Sequence, residues 1–297
     1  RLARIFLVVL VMLIGFLLFV RSSWGQDIIV TKAVNYVADK TKTKVEIERF
    51  FITFSGNVFL EGLYLEDKKG DTLVYSKTVE ANLPISPLLF GNKLHLKSIE
   101  WEGLRAKIDR DDNSEKFNFD FLIDALVPED TTAAATAEPM QISIGRLDFK
   151  DFKIAYNDDF LGIESRLVLG NLFLDADKTD LEKLRFDLDN LELSDTEIFY
   201  KQRKQEAEKD TSQTQLPYFI VDALKLNNVK VNYNSVPDSI MAAIDIGTFL
   251  LELPKADLSQ NAIEIDLLSL DNSTVSLQLP NQNNPEGSTN GISSISD

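Results

Sequence analysis

The chain has 297 residues, enough for one large or two ordinary domains, and 44% of them are apolar, which excludes global disorder. Its 31 basic residues face 47 acidic ones, and the net charge of -16 repels phosphate backbones, so nucleic acid is not expected as a partner. There is no cysteine, which excludes thiolate metal sites, disulfides and cysteine nucleophiles and agrees with an oxidising compartment.

Ile5 to Val20 is an uncharged apolar run of 16 residues bounded by Arg4 and Arg21. A helix rising about 1.5 Å per residue over this length falls slightly short of a bilayer core about 30 Å thick, a gap that Leu2, Ala3 and snorkelling arginines complete. Ile5, Leu10, Leu13, Phe16 and Val20 are therefore membrane-anchor candidates, with Trp24 where an interfacial aromatic belongs. A cleaved signal peptide is the alternative, because Ser23 and Gly25 put small residues before Gln26. The length of the run and the charge of Arg21 favour an anchor that is retained. Arg1 and Arg4 put the N-terminus in the cytoplasm by the positive-inside rule, and the bulk of the chain in the periplasm. The opening on Arg1 and the polar stretch Gly287 to Asp297 read as a piece of a longer protein.

Val30, Val34 and Val37 then recur at helical spacing, which predicts a short amphipathic helix over Asp27 to Lys40. From Val45 the apolar period changes to two, and short strands are expected between Gly, Asn and Asp turns. Pro84 and Pro87 cannot donate ladder bonds and mark a strand end or edge. Phe117 to Leu126 is open between strand and short helix, and Val127 to Pro139, Lys201 to Gln215 and the tail from Asn281 have loop composition.

An ungapped internal repeat appears at an offset of 77 residues. Ile144 to Tyr156 lies over Val221 to Tyr233, and Leu167 to Ile198 lies over Ile244 to Val275, sharing Gly170 with Gly247, Asp189 with Asp266 and Leu193 with Leu270. A smaller signature recurs inside: an apolar residue, then others at +3, +5, +8, +10 and +12 around a polar or Gly centre. It predicts β-hairpins at Leu96 to Ile108, Ile144 to Tyr156, Leu188 to Tyr200, Val221 to Tyr233 and Ile265 to Leu277. The organisation that follows is an anchor over 1–25, a helix over 26–44 and a first β-repeat unit over 45–126. A linker over 127–143 leads to a second unit over 144–220 with a polar loop at 201–215, a third over 221–280 and a polar tail over 281–297.

The anchor, the following helix, Leu63 to Leu73 with its Asp67-Lys68-Lys69-Gly70 turn, and Leu88 to Leu94 leading into Ile99 to Ile108 resemble the N-terminal part of AsmA-like proteins, and more narrowly of the TamB family, the inner-membrane component of a translocation and assembly module. The resemblance covers most of the chain and rests on structural repeat motifs. It implies a mainly β fold in which an elongated repeat sheet forms a half-pipe, or β-taco, with a hydrophobic groove reaching from the inner toward the outer membrane. It also implies phospholipid acyl chains as cargo, and an outer-membrane barrel protein as a partner in outer-membrane protein assembly.

Catalytic signals are weak. The lone His95 lies in a strand-like stretch and is given no role. Asp158 with Asp159, Asp175 with Asp177 and Asp187 with Asp189 could be pictured on calcium, but no EF-hand spacing is present and they read as the solvated faces of strands. No Walker loop, GxSxG or metal-spaced histidine occurs, so an enzyme is not expected, nor a metal or cofactor.

The apolar strand face is the sharp feature. Ile99, Trp101, Leu147, Phe149, Ile154, Tyr156, Leu224, Leu226, Val231, Tyr233, Leu268 and Leu270 are the candidate lipid-groove residues, and burying one such side chain stabilises by about 1.5–3 kcal/mol. A closed sandwich or barrel would bury these faces against each other, whereas an open trough would leave them for acyl chains. The reading is phospholipid transfer between the membranes, with a scaffold for outer-membrane protein assembly as the alternative.

Overall fold

A computed structural model describes residues 22–53, 57–83, 93–126, 141–180, 183–205, 216–280 and 293–296. The anchor candidates Ile5, Leu10, Leu13, Phe16 and Val20 lie outside the described residues, as do Pro84, Pro87 and most of Leu88 to Leu94. Among the described residues no helix is long and apolar enough to cross a membrane.

Helix α1 (Ser23–Thr41) starts where Ser22 Oγ accepts the N–H of Gly25 at 3.0 Å, and it stops at Lys42, which turns left-handed at φ 54° and returns its N–H to Ala38. Strands β1 (Val45–Glu46), β2 (Arg49–Ile52), β3 (Asn57–Glu66), β4 (Thr72–Asn82) and β5 (Lys93–Arg110) follow, then the short helix α2 (Asp120–Leu126). Next come β6 (Gln141–Asp158), β7 (Ile163–Asp180), β8 (Arg185–Gln202), β9 (Tyr218–Ser235) and β10 (Ile240–Asp257). Short strands β11 (Ala262–Glu264), β12 (Leu267–Asp271), β13 (Thr274–Gln278) and β14 (Ser293–Ser296) close the described chain. Helix α1 packs on β1, β2 and α2 at one edge of the sheet.

All fourteen strands belong to one open, mixed sheet in the order β1-β3-β4-β5-β6-β7-β8-β9-β10-β13-β14, with β2 beside β3 and β11 and β12 beside β10. Pairing is antiparallel except at two joints, β5 with β6 and β8 with β9. Each parallel joint follows a long connection, 111–140 or 203–217, because the chain must travel back along the strand before starting the next one in the same direction. Strands β6 and β9 begin 77 residues apart, as do β7 and β10 and as do β8 and β11.

The expected hairpins are not hairpins. Leu96 to Ile108, Ile144 to Tyr156, Leu188 to Tyr200 and Val221 to Tyr233 each lie inside one strand of 18 residues. Ile265 to Leu277 is an interrupted strand, β12 and β13, running along β10. The polar centre of the signature is a pleat inversion. Glu48, Gly62, Lys77, Gly103, Asp151, Gly170, Asp195, Asn228, Gly247 and Asn272 fall opposite one another in turn, forming a line across the sheet. Six of them are left-handed, among them Gly103 at φ 72°, Asp151 at 54° and Asp195 at 51°, a conformation that Gly, Asp and Asn tolerate best. The inversion shifts side-chain parity by one, so Trp101 and Leu104, three apart, pack in the same cluster.

Three strand limits also fall inside segments expected as loop, linker or tail. Strand β8 runs through Lys201, which stands opposite Glu164, to Gln202, whose carbonyl accepts from Val236 at 2.9 Å. Strand β6 starts at Gln141 because it pairs with Lys93, and Ser293–Ser296 of the polar tail pairs with β13. In each case a neighbouring strand supplies the hydrogen bonds that local composition does not promise.

Candidate functional site: the apolar face

The registers align the apolar residues into rows that cross the sheet at right angles to the strands. One row runs Ile52, Val58, Ala81, Ile99, Leu147, Leu174, Leu191, Leu224, Leu251, Leu268. The next runs Phe50, Leu60, Val79, Trp101, Phe149, Leu172, Leu193, Leu226, Phe249, Leu270. Beyond the inversion line a third carries Leu65, Val74, Ala106, Ile154, Leu167, Ile198, Val231, Ile244 and Val275. A fourth carries Ile108, Tyr156, Tyr200, Tyr233, Ala242 and Leu277, with Ser165 between the first two tyrosines.

All twelve candidate groove residues fall in these rows and share one face. Ile99, Leu147, Leu224 and Leu268 stand in the first row; Trp101, Phe149, Leu226 and Leu270 stand in the second. Ile154 and Val231 belong to the third, and Tyr156 and Tyr233 to the fourth, where Tyr233 stacks on Tyr200 at 5.4 Å. The row the candidate list passes over is the most buried one: Leu104, Phe152 and Leu169, at 8%, 4% and 5% exposure. Leu104 and Phe152 occupy the +8 position of the recurring signature, and Leu169 stands opposite Phe152 on β7. Trp101 closes over it, edge-on to Phe152 at 5.4 Å, and its indole N–H donates to Ser76 Oγ at 2.8 Å.

Burial falls off toward the last strands. Leu268 and Leu270 of the same rows are 58% and 39% exposed, and Val275 and Leu277 are 38% each. Only nine hydrophobic residues are buried among the described residues, and none of the described strands lies outside the one sheet to cover this face. The opposite face is laced by cross-strand ion pairs such as Lys77 with Glu102, Arg146 with Asp175 and Lys225 with Glu192.

One end of the strands carries a polar closure. Asp158, expected on a solvated face, is fully buried: Arg110 Nε donates to its Oδ1 at 2.9 Å, the Tyr156 hydroxyl to Oδ2 and the Leu161 N–H to Oδ1, both at 3.0 Å. Burial pushes this carboxyl up, but the Arg110, Leu161 and Tyr156 bonds outweigh it and hold the group below the usual carboxylate range. The Arg110 guanidinium also lies between the rings of Phe117 and Phe160, 4.5 and 4.9 Å from their centres. Burial, then the bond to Asp158, raises Tyr156 above its ordinary value.

Trp24 lies in the first turn of α1, 68% exposed, and His95 lies on β5. Asp175, Asp177, Asp187 and Asp189 approach one another across β7 and β8, where burial and then Asp177 and Asp175 raise Asp189. Among the described residues no His, Cys, Asp and Glu group is placed to hold a metal ion.

What fold and face define is a class: a mainly β protein built on one open mixed sheet, apolar on one side and charged on the other. The chain matches no family model, and no curated protein matches it.

Proposed function

We propose that this chain is a membrane-anchored periplasmic protein whose sheet curves into a half-pipe and passes phospholipid acyl chains along its apolar face between inner and outer membrane, as its resemblance to the AsmA-like and TamB families implies. The observation that carries the reading is the set of apolar rows, three of them unbroken, running across successive strands with no covering layer on them among the described residues. Such rows extend a greasy track along the sheet as each three-strand unit is added, and an exposed apolar patch of this extent calls for an occupant. The charged face opposite stays in water. The groove itself needs no cofactor.

The test is photo-crosslinking in cells with a probe at Phe149 or Leu226 and matched probes at Asp148 or Lys225. Phospholipid captured only from the apolar positions supports the track; intrachain crosslinks with no lipid from either set overturn it. The second reading, a scaffold for outer-membrane protein assembly with a barrel partner, draws on β12, whose outer edge carries no strand among the described residues. A proline at Ser269 then impairs assembly and spares lipid capture.

A further inference from the structure

We propose that the charged face carries an oxyanion site built from Arg105, Lys107, Lys153 and Arg166, suited to a phosphate group on a small organic body. The site lies opposite the apolar rows and stands independently of the lipid-track reading. Arg105 is paired in register with Lys153 on the parallel joint of β5 and β6, so two like charges face each other directly, an arrangement that costs stability. Lys107 lies two residues along β5, and Arg166 stands on β7 opposite Ala155. The four side chains border a concavity of about 260 Å³ whose lining includes Ala155 and Val168, a floor for an apolar body.

The repeat supplies an internal control. Lys230 occupies the place of Lys153 one unit later, between Glu197 on β8 and Asp245 on β10. At Lys153 those flanking positions are held by Arg105 and Val168, so the acids that neutralise Lys230 are replaced by a cation and an apolar side chain. Lys153 has no ion-pair partner among the described residues, whereas Arg105 pairs with Asp151 at 2.6 Å, Lys107 with Asp109 at 2.8 Å and Arg166 with Glu164 at 3.6 Å. Those partners are solvent-exposed or half-buried, and the four cations border the concavity from three strands, β5, β6 and β7. Arg105 already donates from Nη1 to the Leu104 and Asp151 carbonyls and from Nη2 to Asp151 Oδ2, so an oxyanion there displaces or shares the exposed Asp151 carboxylate. Arg166, 4.5 Å over the Phe199 ring, supplies the guanidinium that matches a phosphate in two-point fashion.

Phosphorus NMR on the full chain in zwitterionic detergent tests this, with inorganic pyrophosphate as the soluble probe and phosphatidic acid in the micelle as the headgroup probe. The expected result is a saturable shift of at least one probe, weakened about tenfold or more by Lys153→Glu and unchanged by Lys230→Glu. A response to pyrophosphate assigns a soluble phosphate compound, and a response to phosphatidic acid alone assigns a lipid headgroup. No shift with either probe, a shift that survives Lys153→Glu, or equal loss in Lys230→Glu overturns the site. Thermal melts of both variants matching the parent establish that the sheet is intact; if Lys153→Glu melts early, Lys153→Gln takes its place under the same criteria.

Discussion

Asn228 Nδ2 donates to Asp195 Oδ1 at 2.7 Å across the parallel joint of β8 and β9, and both residues are left-handed, at φ 52° and 51°. The bond ties together two neighbouring points on the pleat-inversion line at the junction of two repeat units. A β-branched residue cannot hold that backbone without strain. Asn228→Val is therefore expected to lower unfolding free energy by about 1–2 kcal/mol for the conformation alone, with the lost bond added, while Asn228→Gly costs less. Denaturant midpoints at equal slope measure both.

Gly170 faces the same line from β7. A Cβ there would stand 2.6 Å from the Cβ of Asp195 and 2.7 Å from its carbonyl oxygen, contacts that only backbone movement relieves. Gly170→Ala is expected to destabilise by about 1–3 kcal/mol, in the range of core overpacking. A variant as stable as the parent in thermal melts contradicts this geometry.

Removing the arginine from the Arg110–Asp158 pair strands a fully buried carboxylate, so Arg110→Met is expected to cost about 3–5 kcal/mol at neutral pH. The pH dependence changes with it. In the parent the Asp158 pKa is depressed, so its contribution is present above the unfolded value near 3.9 and is lost as pH falls through the lower folded one. In the variant burial is opposed only by the Leu161 and Tyr156 bonds, so the depression is expected to shrink and the acid-side loss of stability with it. Urea titrations from pH 7 to about pH 4 separate the two slopes, and parallel curves would contradict the assignment.

Phe152 and Leu268 lie on the same apolar face at opposite extremes of burial, 4% and 58% exposed. Phe152→Ala is expected to cost about 3–5 kcal/mol, because Trp101 and Phe149 lose their common partner. Leu268→Ala stays within about 0.5 kcal/mol. Comparable losses at both sites, read from chemical denaturation, would mean that the far end of the face is covered in solution.

Much of this architecture was legible in the chain. Alternation from Val45 onward predicted strands and the offset of 77 related their starts, but the twelve groove candidates share one face only because the inversion at Asp151 and its counterparts offsets the odd spacing between the two apolar runs of each strand. The turn at Asp67 to Gly70 forms as written, its Asp67 carboxylate accepting the N–H groups of Lys69 and Asp71 at 2.8 and 2.9 Å. The hairpins were misread because Asp151 and Asn228 serve a pleat inversion as well as they serve a turn: both need a polar residue that accepts positive φ between alternating apolar runs. Only the register of the neighbouring strands tells the two apart. The burial of Asp158 was hidden for a similar reason, since its partner Arg110 is 48 residues away and becomes its neighbour only through the parallel joint.

That joint also sets the order in which the sheet can assemble. Strands β6, β7 and β8 follow one another after four residues each and pair antiparallel, so their contacts close over short loops, whereas 30 residues, 111–140, separate β5 from β6. Each meander is thus expected to form before the joints that dock one meander on the next. Before such a joint closes, the facing edges of β5 and β6, or of β8 and β9, carry unpaired ladder groups, and these edges are where a nascent copy is expected to be most exposed to pairing with the wrong molecule.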